Sequence, residues 1–158
     1  MTLRKRHIAL RAVGPSSKRS ARSAVRAAPG ERMSALWAKA QLASASARLL
    51  IESGDSDGAV NRAYYAVFGA TRAAPATVRS SLALAKRHGT IFRRFDKHLV
   101  QERGFDPSLG RAFLVKLGRA RHAADYGESQ VDEPTARVSV GEMQMFLAAI
   151  EPLVRKAK

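Results

Sequence analysis

The chain has 158 residues, enough for one ordinary domain, and its 46% hydrophobic content supports a packed core and excludes disorder throughout. It has no cysteine, which excludes disulfides and thiolate metal sites and suits a reducing cytoplasm. No apolar run reaches the roughly 20 residues a membrane helix needs. The formal net charge of +15 favours anionic partners, nucleic acid first.

Residues 1–32 read as a separate basic extension. Nine cations, among them Arg4, Lys5 and Arg6, face a single acid, Glu31. The segment carries Gly14-Pro15 and Pro29-Gly30, few large apolar residues and no sustained period, so it is expected to be mostly disordered. It has no apolar h-region and is not a secretory signal. Three uses fit such a composition: a transit peptide, a nucleic-acid-binding arm, or a plain extension upstream of a start at Met33. Residues 33–158 form the expected domain, with 19 basic and 12 acidic side chains.

The spacing predicts a first helix after Met33, capped by Ser34, with Leu36, Ala40, Ala43, Ala47 and Leu50 on one stripe that Trp37 and Ile51 widen. Its alanines imply close approach of a neighbouring helix. Ser53 to Gly58 reads as a turn, with Gly54 closing one helix and Asp55 or Asp57 capping the next. So short a connection makes helices one and two antiparallel neighbours. Helix two is expected to run to about Ala74, with Pro75 ending it. A short helical piece fits Ser81–Ala85. Helix three takes His88 to about Glu102, with Ile91, Phe92, Phe95 and Leu99 inward. Helix four opens at Asp106-Pro107-Ser108 and reaches about Tyr126. Helix five begins at Pro134, with Val138, Met143, Phe146, Leu147, Ile150 and Leu153 on its inner stripe. Nothing alternates at period two. The expected fold is all-α, an up-and-down bundle of four to five helices behind a disordered basic N-terminal tail.

Helix two carries the most informative stretch, Asn61-Arg62-Ala63-Tyr64-Tyr65-Ala66-Val67-Phe68. At 100° per residue, Val60, Ala63, Tyr64, Val67, Phe68 and Thr71 fill one arc, with Asn61, Tyr65 and Arg72 along its edge. A plain core helix places Leu or Ile where Asn61 and Tyr65 stand. A buried amide needs a partner, because leaving it unpaired costs about 1–3 kcal/mol. The polar group expected to meet this edge is Arg121-His122-Ala123-Ala124-Asp125-Tyr126 on helix four. All three tyrosines of the chain lie in these two stretches.

On helix four, Leu109, Phe113, Leu117, Ala120 and Ala124 form the buried arc. Arg121 and Asp125, four apart, flank it. They fit either a polar network with Asn61 and Tyr65 or an ordinary intrahelical ion pair. Arg119, His122 and Tyr126 lie together on the far side. They fit either a phosphate-facing group, in which Arg holds the anion and His exchanges a proton, or a solvated basic face. Of the other histidines, His88 stands at a helix start beside Lys86 and Arg87, where it fits an anion site or a plain surface. His98 fits the edge of the core, and His7 lies in the extension. No His, Asp or Glu spacing makes a metal site, and neither metal nor cofactor is expected.

The helix-two stretch, followed by Lys86-Arg87-His88-Gly89 and then Arg121 to Tyr126, resembles the HEPN (higher eukaryotes and prokaryotes nucleotide-binding) superfamily, in its small prokaryotic branch with an RAYYAVF helix and an RxxADY ending. The resemblance runs from about Met33 to the end. It implies an all-α bundle, commonly a homodimer. It also implies a toxin–antitoxin component that acts on RNA in the cytoplasm, with a minimal nucleotidyltransferase as the antitoxin partner. Active relatives are metal-independent endoribonucleases marked by an Arg with a His a few residues later. Here position 126 is Tyr where that hallmark counted from Arg121 wants His, and His122 follows Arg119 too soon. The resemblance therefore implies Arg121, His122, Asp125 and Tyr126 as the candidate catalytic set. It implies Arg119, Asn61, Arg62, Tyr65 and His88 as binders of RNA or a nucleotide, and Tyr126 as the phenol such a partner would modify. A non-catalytic module serving the nucleotidyltransferase is the other function it implies.

Overall fold

A computed structural model describes residues 29–85 and 87–157 of the chain. Among the described residues the fold has five α-helices: α1 (Pro29–Glu52), α2 (Ser56–Ala76), α3 (His88–Phe95), α4 (Arg111–Tyr126) and α5 (Glu133–Lys156). No strand occurs among the described residues, so the expected all-α bundle is what the chain forms. Of the extension expected to be disordered, residues 1–28 lie outside the described residues, and residues 29–32 are instead the first turn of α1.

Helix α2 is the axis of the bundle and packs against α1, α5, α4 and α3. Its buried alanines, Ala59, Ala63, Ala66, Ala70, Ala73 and Ala74, let these neighbours approach closely. At Gly69 a Cβ would stand 3.2 Å from that of Ala40 on α1. The largest fully buried side chains come from α3 and the turn after it, α4 and α5. Phe146 lies between Phe95 and Phe113, with ring centroids 5.6 and 5.5 Å away, and Leu99, Leu114, Leu117, Met143 and Ile150 close around them.

The caps explain why the helices fall where they do. Gly54, at φ +86°, takes the left-handed conformation that lets Asp55 N–H donate back to Leu50 O at 2.9 Å. The Asp55 carboxylate then accepts from Gly58 N–H at 2.8 Å and starts α2. Asp132 caps α5 in the same way, accepting from Thr135 N–H at 2.8 Å. Asp57, in the first turn of α2, accepts from Val131 N–H at 2.9 Å and ties the α4–α5 connection to α2.

Five expectations about elements are corrected. Helix α1 starts at Pro29 rather than after a Ser34 cap. Proline suits a first turn, and buried Met33 and Trp37 extend the packed face upstream. Pro75 lies inside the last turn of α2 and does not end it. The predicted helix three is α-helical only to Phe95 and then widens to π-helix over Asp96–Gln101. Asp106 caps a short 3₁₀ turn, Pro107–Leu109, and α4 proper begins after Gly110. Val138 is 56% exposed, while Ala136, Ser139 and Val140 take the inner face of α5. Five residues from Met143 is 500°, which turns Val138 away from the stripe.

Candidate functional site

The seam between α2 and the last turns of α4 holds a connected polar group. Asn61 Nδ2 donates to Asp125 Oδ1 at 2.7 Å, and the other carboxylate oxygen of Asp125 pairs with the Arg121 guanidinium. The Arg62 guanidinium donates to Asn61 Oδ1 at 2.9 Å. Both ends of the Asn61 amide are thus used, which explains why an amide stands where a core helix has Leu. Of the two readings left open for Arg121 and Asp125, the network is the one formed. The pair is not merely intrahelical, because Asn61 joins it from another helix.

The guanidinium of Arg121 sits among all three tyrosines. Its Cζ lies 5.9 Å from the ring centroid of Tyr64, 5.8 Å from that of Tyr65 and 5.8 Å from that of Tyr126. At these distances the ring faces attract a cation. Burial acts to lower the Arg121 pKa, but Tyr65, Asp125 and Tyr126 outweigh it and the net shift is upward. The group is a permanent cation. Its side chain keeps 26% of its surface open, so an anion has access to it. Arg121 Nε is buried without a hydrogen-bond partner among the described residues.

Tyr64 forms the floor of the site. It is 6% exposed, and burial pushes its phenol up to about 12, partly opposed by Arg121 and reinforced by Tyr65. A Cβ on Gly118 of α4 would touch its ring edge at 3.6 Å. Tyr65 and Tyr126 are 39% and 68% exposed, so their rings are open to a ligand. Tyr64 lies on the arc read as buried and was left out of the candidate binding residues, yet its ring stands against Arg121. The signal for its second role is the doubled phenol at 64–65: two adjacent rings cannot share one face of a helix, yet both can flank a group that reaches between them.

The remaining candidates divide. His88, the first residue of α3, is exposed, with its ring centroid 4.4 Å from that of Phe68 in a tilted contact and 6.1 Å from that of Tyr64. It therefore stands beside the floor of the site. Lys86 of the same stretch lies outside the described residues. His122 touches the Tyr126 ring at 5.0 Å, and both are exposed. Tyr126 thus contacts His122 on one side and Arg121 on the other, joining two groups that the helical wheel keeps apart. Arg119 is exposed on the outer face of α4, alongside Arg111, Val115 and Lys116. Arg72 of the Asn61 edge turns elsewhere and donates to Ala83 O at 3.3 Å.

The arrangement is chemically an anion receptor. A planar, permanently charged fork is fixed by a carboxylate and presented among aromatic rings, which suits a phosphate with an attached base. The fold and this caged arginine define an all-helical domain with its polar site at the seam of two helices. The chain belongs to the HEPN domain family, whose model matches residues 33–153. It is 30% identical over 118 residues to a UPF0332 protein of Thermotoga maritima, covering 71% of this chain and 83% of that protein. It is 28% identical over 110 residues to a Methanocaldococcus jannaschii protein that bears the name "Putative toxin MJ0605", covering 70% of this chain and 79% of that one. No described helix is long and apolar enough to cross a membrane.

Proposed function

We propose that this HEPN protein is the toxin-type member of a toxin–antitoxin pair and acts on RNA in the cytoplasm as a homodimer. The observation that carries the reading is the Arg121 guanidinium, oriented by Asp125 and held among Tyr64, Tyr65 and Tyr126 while still open to solvent. Such a group holds a phosphodiester and stabilises the charge that builds on it during attack. In metal-independent cleavage the neighbouring 2′-OH loses its proton to a base and its oxygen attacks phosphorus. The bond to the 5′ oxygen breaks, and that oxygen takes a proton. Asp125 is committed to Asn61 and Arg121, so its role is to hold the arginine. His122 and Tyr126, exposed and in contact, are the groups placed to move protons.

The test is expression of the wild type and Arg121→Ala in cells, scoring growth and RNA integrity. The wild type should slow growth and fragment RNA, and the variant should do neither. Intact RNA and normal growth with both proteins would remove the catalytic reading. The mass of the protein in solution tests the dimer, expected at about twice the 17.1 kDa of the chain.

A second reading has its own support. Asn61, Arg121 and Asp125 pair with one another within a single chain, as expected of a non-catalytic module, and Tyr126 is 68% exposed. In that reading a minimal nucleotidyltransferase docks here and modifies the Tyr126 hydroxyl. Incubation with such a partner and a nucleoside triphosphate should add one nucleotidyl mass to the wild type and none to Tyr126→Phe.

A further inference from the structure

One face of α4 carries an uninterrupted row, of which the site above uses only the last two members. Arg111, Val115, Arg119, His122 and Tyr126 follow one another at spacings of four, four, three and four, and all are exposed. The row spans about 22 Å at 1.5 Å per residue. Its first half borders an open groove lined by Arg111, Ala112, Val115, Lys116 and Arg119. No ion pair engages the Arg111 or Arg119 guanidinium among the described residues. This contrasts with Lys116, which is held by Glu142, and with Arg137 and Arg155 of α5, each paired with a glutamate one turn back. The one acid of α4, Asp125, is already taken by Asn61 and Arg121. The row ends at Tyr126, whose ring also borders Arg121.

We infer that this face of α4 is a rail for single-stranded RNA, which leads a strand to the Arg121 site; the inference rests on the RNA-directed reading above. The guanidiniums of Arg111 and Arg119, both on the groove, hold phosphates of one strand, and the open ring of Tyr126 stacks an unpaired base. Cations that track a backbone and a ring that takes a base are the two parts of single-strand recognition. A duplex keeps its bases stacked on one another and leaves the Tyr126 ring without a partner. The length suits on the order of five nucleotides at about 3.4 Å or more per phosphate.

The test is fluorescence anisotropy on the full chain, with an unstructured RNA oligonucleotide, an RNA duplex of equal charge, and polyglutamate as competitor. Wild type should prefer the single strand. Arg111→Gln with Arg119→Gln should weaken binding at least tenfold and make the salt slope shallower by about 1.4, since each phosphate no longer neutralised removes about 0.7 from a single-strand slope. Tyr126→Leu should weaken it about 5- to 150-fold, the range for one lost stack, while Tyr126→Phe should not. Lys39→Gln on α1 controls for charge alone, and the basic N-terminal segment is common to every variant. Equal affinity for duplex, an unchanged slope in the double variant, or competition by polyglutamate as strong as by RNA would overturn the rail. If the rail variants lose binding but Arg121→Ala changes neither growth nor RNA integrity, the rail stands and only the cleavage reading falls.

Discussion

The Asn61 amide donates to the Asp125 carboxylate at 2.7 Å, joining two helices across sixty-four positions of sequence. This bond is partly buried and one partner is charged, so its loss leaves a polar group without its mate. Asn61→Ala should therefore destabilise the fold by about 1–2 kcal/mol in urea unfolding. A double-mutant cycle with Asp125→Ala should return a coupling of at least about 0.5 kcal/mol. Additive effects would mean the two side chains do not act together in solution.

Tyr64 should ionise well above the ordinary phenol range. Burial raises it from the ordinary value of 10.0 to about 12, against the opposing pull of Arg121. A pKa raised in the folded state means that the unfolded chain gives up this proton first. The Tyr64 contribution to stability is thus complete below about pH 10 and is lost as pH climbs toward 12. Ultraviolet titration of the folded protein should show one phenol delayed, and Tyr64→Phe should remove that step. The alkaline loss of stability should also become shallower in Tyr64→Phe.

The helices were legible because their signals are local. Asp55, Gly54 and Pro134 act within four residues of themselves, and each does in the structure what its type implies. What escaped was set at a distance. The π-helical stretch at Asp96–Gln101 has no signature in residue type, and it holds Leu99 inward while Asp96 accepts from Arg111 N–H at 3.4 Å. The exposure of Val138, by contrast, is legible in the wheel, about 140° from Met143. The site was legible to the extent that periodicity can speak. Asn61 on the edge of α2 and Asp125 on the flank of α4 were readable as partners. The meeting of Tyr126 with Arg121 was not, because five residues of helix set the two about 140° apart on the wheel, and only the length of the two side chains brings them together.

Two glycines in helices should respond in opposite directions to the same added methyl group. Gly141 of α5 has nothing within 4 Å of a built Cβ, so Gly141→Ala should stabilise by about 0.5–1 kcal/mol through helix propensity alone. At Gly69 the new methyl would lie 3.2 Å from Ala40 Cβ and 3.4 Å from both Ala40 Cα and Leu36 O. None of these atoms is the end of a flexible chain, so α1 and α2 must part. Gly69→Ala should cost about 1–3 kcal/mol despite its better propensity. Thermal unfolding of the two variants decides this, and a stabilised Gly69→Ala would show the α1–α2 crossing to be looser than described.

Asp125→Asn separates holding an arginine from holding RNA. The substitution removes a negative charge from beside the proposed phosphate position and keeps a hydrogen-bonding group in the same space. It also ends the ion pair that fixes the Arg121 guanidinium. Electrostatics alone then predicts tighter RNA binding, since one repulsion is gone. Orientation predicts slower cleavage, because a group misplaced by about 1 Å loses on the order of a hundredfold in rate. Under the RNA-directed reading both should occur together: affinity by anisotropy rises while strand scission falls. Under the non-catalytic reading there is no scission to lose, and the variant should instead alter the rate at which a nucleotidyltransferase modifies Tyr126, whose ring lies against the same guanidinium. If Asp125→Asn weakens RNA binding, the carboxylate itself supports the ligand contact, and the anion-receptor account of Arg121 fails.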